Sequence, residues 1–546
     1  MSILKNDNTL FNSTLDLERS STDSQENGGP RAVGDGKQPL GEDNLNRSLS
    51  VRQINMITIA GVIGTGLFLG TGVSLSRGGP GALLICYTII GIMVYFTMLS
   101  LGEMATQYPV SGSFTTYAKR FGSDSLGFAI LSNYWLNDAL SVASDLTALQ
   151  LLLSYWTDFH YWVVALIFWF FLLFLNVFHV RFYGEAEYLL ALLKVIAIII
   201  FFIISIVVNA GHNIEHKYIG FSNWGVGDAP FVNGFRGFAK VFVTAAYAYG
   251  GTESITMTAG EQKNPTRTMP KIVRTVFWRI LIFYILTVFF IGMNIPYNYE
   301  NLNKKSIITS PFTIMFKLVG AKGGADFMNA VIITSVISAG NHALYAGSRL
   351  AYNLGTQGYA PKILTKVNRW KTPYIAVIFT WFFGGLGFGS SFIGAGELWN
   401  WLQAIIGLSN LISWWVIGII SIRFRQGLKF QGREGELLFP NWTYPWGPWF
   451  VVIFGTFIIF VQGWSTLSPF SANDFFQSYL ELAIFPLCYI AWFVWTRCKD
   501  KFVKVQDMDF ESDLYYETPE DQELNAHLDS LTGLLKFKYV MYENFT

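Results

Sequence analysis

Long apolar runs separated by short polar loops make up the chain between residues 51 and 496. A hydrocarbon core of about 30 Å is crossed by about 20 apolar residues in an α-helix. This pattern predicts an all-α integral membrane protein with twelve transmembrane helices. Their approximate bounds are 54–76, 81–101, 126–153, 162–179, 188–209, 237–259, 276–296, 327–347, 373–393, 398–421, 446–466 and 476–496.

The two ends of the chain differ from this apolar part. Residues 1–50 are rich in Ser, Asn, Asp and Gly and contain no apolar run, which is typical of a disordered tail. Residues 497–546 are charged and acidic, and we interpret them as a second tail. The sequence therefore predicts a membrane domain over 51–496 between tails 1–50 and 497–546.

An even number of spans places both tails on the same side of the membrane. The loops predicted on that side include VSGSFTTYAKRF, EQKNPTRTMPKIVRT, GYAPKILTKVNRWK and RFRQGLKFQGR, which are richer in Lys and Arg than the opposite loops. Cytoplasmic loops carry this excess of positive charge. Both termini are therefore predicted to be cytoplasmic.

Composition narrows the function further. Only 14% of the 546 residues are charged, against about 25% in soluble proteins, so the lipid bilayer is the expected surrounding. The formal net charge of +1 gives no basic field for nucleic acid. The three cysteines show no metal-ligand spacing, and no nucleophile–base pair is apparent. We expect neither an enzyme nor a protein with a cofactor.

The first span is unusually rich in glycine. Residues 60–72 read AGVIGTGLFLGTG, with five glycines in thirteen positions, although each glycine costs a helix roughly 1 kcal/mol relative to alanine. The sixth span carries Gly250-Gly251-Thr252 followed by Glu253. The two segments occupy corresponding places if the first ten spans form two sets of five, and such paired interruptions indicate the binding site of a transporter.

The chemistry of two broken helices suits an α-amino acid. The half-helix that starts near Gly64–Gly66 offers free N–H groups and a positive dipole end to a carboxylate. The carbonyls that end the preceding half-helix suit an ammonium group or another cation. The alternative is that the glycines only allow close helix packing, since Gly66 and Gly70 form a small-xxx-small pair.

Several segments resemble the amino-acid permeases of the amino acid–polyamine–organocation superfamily. They include TIAGVIGTGLFLG, SLGEMATQYPVSGSF, FYGEAEYLLALLKVIAI, GGTESITMTAGEQKNPTRTMP and SAGNHALYAGSRLAYNLGTQGYAPK. Polar tails of this length resemble those of the fungal members. NYWLNDALSVASDLTALQLLLSYW and FSNWGVGDAPFVNGF are also similar to lysine-specific permeases, which tend to carry an acid at the position of Asp145.

The resemblance implies a five-plus-five inverted repeat with broken helices 1 and 6, and two extra helices. It also implies import of an amino acid by proton symport through alternating access. The substrate carboxylate would bind at Ile63, Gly64, Thr65 and Gly66. The α-amino group would bind at Tyr249, Gly250, Gly251, Thr252 and Glu253.

Ionisable residues inside predicted spans are functional candidates, because each costs at least about 2.5–3.5 kcal/mol to insert. Asp145 is interpreted in three ways: it faces the cation of a basic substrate, carries the coupled proton, or makes a structural hydrogen bond. Relatives in the superfamily imply a proton-coupling role for Lys194, whereas snorkelling to the interface is the alternative. Glu253 either anchors the α-amine or shares the proton. In spans eight and ten, Asn341 and Trp401 are interpreted as polar lining and side-chain contact.

These patterns predict a plasma-membrane symporter that favours lysine or arginine. A broad or neutral permease, a nutrient receptor with little transport, and a location in the vacuolar or another internal membrane remain alternatives. By analogy with fungal permeases, the tails are expected to meet ubiquitin-ligase machinery.

Overall fold

The computed structural model describes residues 63–110, 112–156, 160–177, 180–254, 256, 265–304, 308–515 and 526. These residues are helical, without strands. The predicted tail 1–50, and all of the predicted tail 497–546 after Tyr515 except residue 526, lie outside them. The α-helices of the described part are α1 (Thr71–Gln107), α2 (Phe114–Phe121), α3 (Asp124–Leu153), α4 (Tyr161–Val177), α5 (Val180–Asn209), α6 (Gly234–Tyr249), α7 (Pro265–Arg279), α8 (Leu286–Asn294), α9 (Pro311–Leu318), α10 (Lys322–Thr356), α11 (Tyr374–Gly384), α12 (Ser390–Ile393), α13 (Ala395–Phe430), α14 (Trp446–Val461) and α15 (Ala472–Trp495).

The helical prediction for the membrane domain is confirmed. Within the described residues, eight helical stretches are long and apolar enough to cross a membrane, and Trp162–Val177 is a shorter apolar helix. Every predicted span overlaps a helix. The number of twelve spans stays a prediction. α3 is long enough but not apolar enough to count as a span, and α6 is too short. Predicted spans one and two share one helical stretch.

That shared stretch, Gly66–Gln107, bends sharply at Gly79. Gly79 has φ +79°, in the left-handed region that favours glycine, and Pro80 follows it. A Cβ at Gly79 would lie 2.6 Å from the carbonyl oxygen of Pro230. The bend falls between the ends predicted for spans one and two, so it separates two helical arms at the expected place.

The helical stretch that begins at Gly66 crosses α6 at very short range. A Cβ on Gly66 would lie only 2.4 Å from Cα of Ala248. On the other side of α6, a Cβ on Gly407 of α13 would lie 2.4 Å from the carbonyl oxygen of Val243. Gly66 therefore does serve close packing, and that packing brings the start of the first helix against the end of α6.

The chain beyond α15 folds back onto one end of the bundle. The ring of Phe510 stacks on Phe121 with centroids 5.4 Å apart and also meets Phe424 of α13 at 5.8 Å. The backbone N–H of Val503 donates to the carbonyl oxygen of Gly122 at 2.7 Å. This segment links the end of α2 and the start of α3 to the end of α13.

We expect Phe510→Ala to lower the thermal stability of the protein. Phe510 is almost fully buried, and removing a buried Phe side chain typically costs about 3–5 kcal/mol. Thermal unfolding of the purified protein in detergent measures the effect. Phe502→Ala, at a phenylalanine 46% exposed, is the control. Equal melting temperatures for the two variants would show that the segment does not stabilise the bundle.

Candidate functional site

The first described helix starts at the glycine-rich segment, and the part of predicted span one before Ile63, with its expected half-helix, lies outside the described residues. The backbone at Ile63 and Gly64 is not helical, and a π-helical turn, Gly66–Gly70, leads into α1. The carbonyl oxygen of Gly64 accepts from the N–H groups of Leu67 at 3.2 Å and Phe68 at 3.3 Å. The N–H groups of Gly64, Thr65 and Gly66 precede them and have no intrahelical acceptor within the described residues, which begin at Ile63. These donors suit an anionic group.

The predicted interruption in span six is present. α6 ends at Tyr249, Gly250 leaves the helix with ψ 153°, and Gly251 has φ +81°. A short 3-10 turn follows at Glu253. The left-handed backbone at Gly251 requires glycine in practice, because a Cβ there is strained. The carbonyl groups at the end of α6 are thereby released from α-helical pairing.

A hydrogen-bond chain joins these two segments to α3. Thr65 Oγ1 donates to Oδ1 of Asp145 at 2.9 Å and lies 2.6 Å from the hydroxyl of Tyr247. Because the Thr65 hydrogen is used by Asp145, Tyr247 donates to Thr65. Ser144 Oγ lies 3.0 Å from the Tyr247 hydroxyl. Asp145 is only 6% exposed, so its carboxylate is held at the junction of the first helix, α3 and α6.

Asp145 belongs to a buried charged group that we call the Asp145 cluster: Asp145, Glu187 and Lys194. Lys194 of α5 interacts electrostatically with both carboxylates. It is 1% exposed and therefore does not reach the surface by snorkelling. Two carboxylates and one ammonium group leave one formal negative charge. A single additional cation would neutralise this cluster.

Polar groups of α10 orient Glu187. Ser338 Oγ donates to Glu187 Oε1 at 2.5 Å. Asn341, three residues further along α10, accepts from Asn176 Nδ2 at 2.8 Å and lies beside the Glu187 carboxylate. Asn341 therefore borders the Asp145 cluster at Glu187.

A small, partly open cavity adjoins Asp145 between α3, α4 and α10. Apart from Asp145, its lining is apolar: Leu146, Leu149, Phe168, Leu172, Val336, Ile337 and Gly340. A Cβ on Gly340 would lie 3.4 Å from Cβ of Asp145, so this glycine keeps α10 close to the carboxylate. An apolar wall with a single carboxylate suits a side chain with a methylene stem and a positive end.

The remaining span-six candidates lie apart from Asp145. Tyr249 stacks on Tyr284 with centroids 4.2 Å apart, and its hydroxyl donates to the carbonyl oxygen of Tyr87. Thr252 accepts a hydrogen bond from Arg279. Glu253 is 1% exposed, and within the described part of the chain neither of its carboxylate oxygens accepts a hydrogen bond of acceptable geometry. Thus Tyr247 of span six faces the Asp145 cluster, whereas Glu253 lies outside that cluster, beside Tyr134 and Trp414.

Sequence reasoning missed four residues around Asp145. Tyr247 and Ser144 complete its hydrogen-bond chain, and Glu187 stands seven residues before Lys194, a helical spacing that could have indicated it. In α13, Trp399 faces Tyr247, with ring centroids 6.1 Å apart. The half-buried Trp401 lies two residues further on, and the structure does not bring it to Tyr247.

Comparison with known proteins adds a family match. The family model described as Amino acid permease matches residues 53–505. The chain is 41% identical to a probable amino-acid permease of Schizosaccharomyces pombe, covering 87% of this chain and 96% of that protein. It is 38% identical to the lysine-specific permease LysP of Escherichia coli, covering 85% and 96%. It is also 38% identical to the general amino-acid permease GAP2 of Candida albicans, covering 86% and 81%. Overall identity therefore does not separate lysine-specific from general relatives.

Proposed function

The chain belongs to the amino acid permease family, and we propose that it imports basic amino acids by proton symport. Permeases are membrane transporters rather than enzymes. The single observation that supports a basic substrate is Asp145, a buried carboxylate that bonds to Thr65 at the start of the first described helix and, through Thr65, to Tyr247 of α6. Its cluster carries one uncompensated formal negative charge, and its cavity is apolar.

In this proposal the substrate bridges the two interrupted segments. Its carboxylate binds the free N–H groups at Ile63, Gly64, Thr65 and Gly66, where the helix dipole is positive. Its α-amino group binds carbonyl groups released at Tyr249, Gly250 and Gly251, with Thr252 and Glu253 behind them. The positive side chain displaces Thr65 from Asp145 and lies along the apolar cavity wall.

The relatives support a lysine or arginine preference only in part, since lysine-specific and general permeases match equally well. The second candidate function is therefore a broad permease, in which Asp145 handles the proton. A nutrient receptor with little transport is a more remote alternative. We propose a plasma-membrane location with both termini cytoplasmic, on the charge asymmetry of the loops. Ubiquitin-ligase machinery is the proposed partner of the tails.

Competition uptake in permease-deficient yeast tests the substrate. Labelled lysine is supplied with unlabelled amino acids at about tenfold excess, enough to occupy a shared site at comparable affinity. We expect lysine and arginine to compete and neutral amino acids to leave uptake unchanged. Equal competition by neutral amino acids would favour the broad permease. If the protein reaches the cell surface but no labelled lysine accumulates in the cells, the nutrient-receptor alternative would be favoured.

Lys194→Gln tests the coupling part of the proposal. The substitution removes the positive charge that faces Glu187 and Asp145, and two buried carboxylates without a counter-charge are stable only with a proton bound. We expect accumulation driven by an acidic exterior to fall at least about tenfold, with lysine exchange at equal pH retained. Lys317→Gln, at a lysine near the end of α9 whose ammonium lies over the Tyr155 ring, is the control. Unchanged acid stimulation in Lys194→Gln would remove Lys194 from the coupling mechanism.

A further inference from the structure

A second buried polar group lies around the continuation of span six. We call it the Glu253 cluster: Tyr134, Asp138, Glu253 and Trp414, each at most 9% exposed. Tyr134 and Trp414 lie beside the Glu253 carboxylate, and Asp138 interacts with it electrostatically. Nevertheless, among the described residues no hydrogen bond of acceptable geometry reaches the Tyr134 hydroxyl, Trp414 Nε1, Asp138 Oδ2 or either carboxylate oxygen of Glu253.

Such unpartnered atoms are unusual, because a buried polar atom without a hydrogen bond destabilises the folded state. Five of them converge here from three elements of the fold: α3, α13 and the segment after α6. Three of the five are carboxylate oxygens, which accept hydrogen bonds. A group with several N–H donors would satisfy these three acceptor oxygens together, whereas the Tyr134 hydroxyl and Trp414 Nε1 are donors directed at the Glu253 carboxylate.

The formal charges around the Glu253 cluster also favour a cationic ligand. Asp138 and Glu253 contribute two carboxylates, and Arg279, which interacts with Glu253 and donates to Thr252, contributes one guanidinium. These three side chains together carry one formal negative charge, as do the three of the Asp145 cluster. Tyr and Trp are also the side chains whose ring faces attract cations.

We propose that the Glu253 cluster is a second subsite for the positively charged side chain of the substrate, occupied after the Asp145 cluster on the way to the cytoplasm. The inference rests on the proposed function, because it takes a basic amino acid as the substrate. It adds Asp138, Tyr134 and Trp414 to the residues that recognise that substrate.

The spacing of the two clusters fits successive use. Asp138 and Asp145 are seven residues apart on α3, which places them on one face, about 10 Å apart along the helix axis. One ammonium group does not contact both carboxylates at this separation. Asp138 lies nearer the start of α3, the end of the bundle where Val503 bonds to Gly122. In the proposed orientation that end is cytoplasmic.

Lysine exchange in permease-deficient yeast tests this subsite. Cells are loaded with labelled lysine, treated with a protonophore at about pH 7, and exchange is started with external lysine. Asp138→Asn should lower the maximal exchange rate about tenfold, the loss expected for one charged hydrogen bond. The half-saturating external lysine concentration should change less than about threefold, since external binding uses Asp145. Asp138→Glu, which keeps the charge, should restore most of the rate.

The matched control is Glu481→Gln in α15. Glu481 is 1% exposed with both carboxylate oxygens unpartnered, but it lies outside both clusters, so its exchange rate should equal that of the wild type. Wild-type exchange in Asp138→Asn, with only proton-driven accumulation lost, would make Asp138 a proton site and overturn the proposal. Equal loss in Asp138→Asn and Asp138→Glu would also overturn it, since the position is then structural. No lysine exchange by the wild type would instead refute the proposed function.

Discussion

Asp145→Asn is expected to lower lysine uptake, measured as kcat/KM, by about 100-fold. The carboxylate is buried, accepts a hydrogen bond from Thr65 and faces the apolar cavity. Removing one partner of a buried hydrogen-bonded charge pair costs about 2–5 kcal/mol, and about 2.8 kcal/mol, toward the lower end of that range, corresponds to this factor. The asparagine keeps the shape of the side chain and its bond to Thr65, so the loss reports the charge.

Initial uptake rates over a range of lysine concentrations separate the possible roles of Asp145. A rise in KM with kcat retained indicates that Asp145 binds the substrate cation. An unchanged lysine KM with loss of acid stimulation would contradict this role and assign the proton to Asp145. Glu481→Gln is the control, because it neutralises another buried carboxylate away from the pocket.

Gly66→Ala is expected to impair transport strongly while the protein still reaches the membrane. The new Cβ would lie 2.4 Å from Cα of Ala248, and neither backbone can yield without separating the first helix from α6. Overpacking of this kind costs about 1–3 kcal/mol, and the separation also breaks the contact between Thr65 and Tyr247. We expect lysine uptake to fall at least tenfold, consistent with about 1.4 kcal/mol or more.

Gly323→Ala provides the matched control. Gly323 lies in the first turn of α10, where an added Cβ meets no atom within 4 Å, so its uptake should equal that of the wild type. Uptake rates are divided by the amount of protein at the cell surface, measured by surface labelling. Wild-type uptake in Gly66→Ala would show that the close crossing of the first helix and α6 is not needed for transport.

The pattern of apolar residues was sufficient to predict the helices, and the glycines were sufficient to predict the interruption at Gly250 and Gly251. Apolar runs of sufficient length have few alternatives to helix in a bilayer, and paired glycines before a charged residue are an uncommon local signal. Asp145 and Lys194 could be singled out for a similar reason, since a charge within an apolar run is costly.

The contacts of these residues could not be predicted, because they depend on how distant segments pack. Tyr247 meets Thr65 across 182 positions of sequence, and no local pattern reports that pairing. The choice between Trp399 and Trp401 depends on the rotation of α13, which two neighbouring tryptophans do not reveal. Likewise, Asp138 and Glu253 meet only once α3 lies beside the segment after α6.

Proton-driven lysine accumulation in proteoliposomes tests the central claim most directly. The purified full-length protein is reconstituted, and labelled lysine is added outside with the exterior at about pH 5 and the interior at about pH 7. We predict accumulation above the external concentration, loss of accumulation with a protonophore, and competition by arginine but not by neutral amino acids. Equal competition by neutral amino acids, or accumulation that does not depend on the pH gradient, would contradict a proton symporter for basic amino acids.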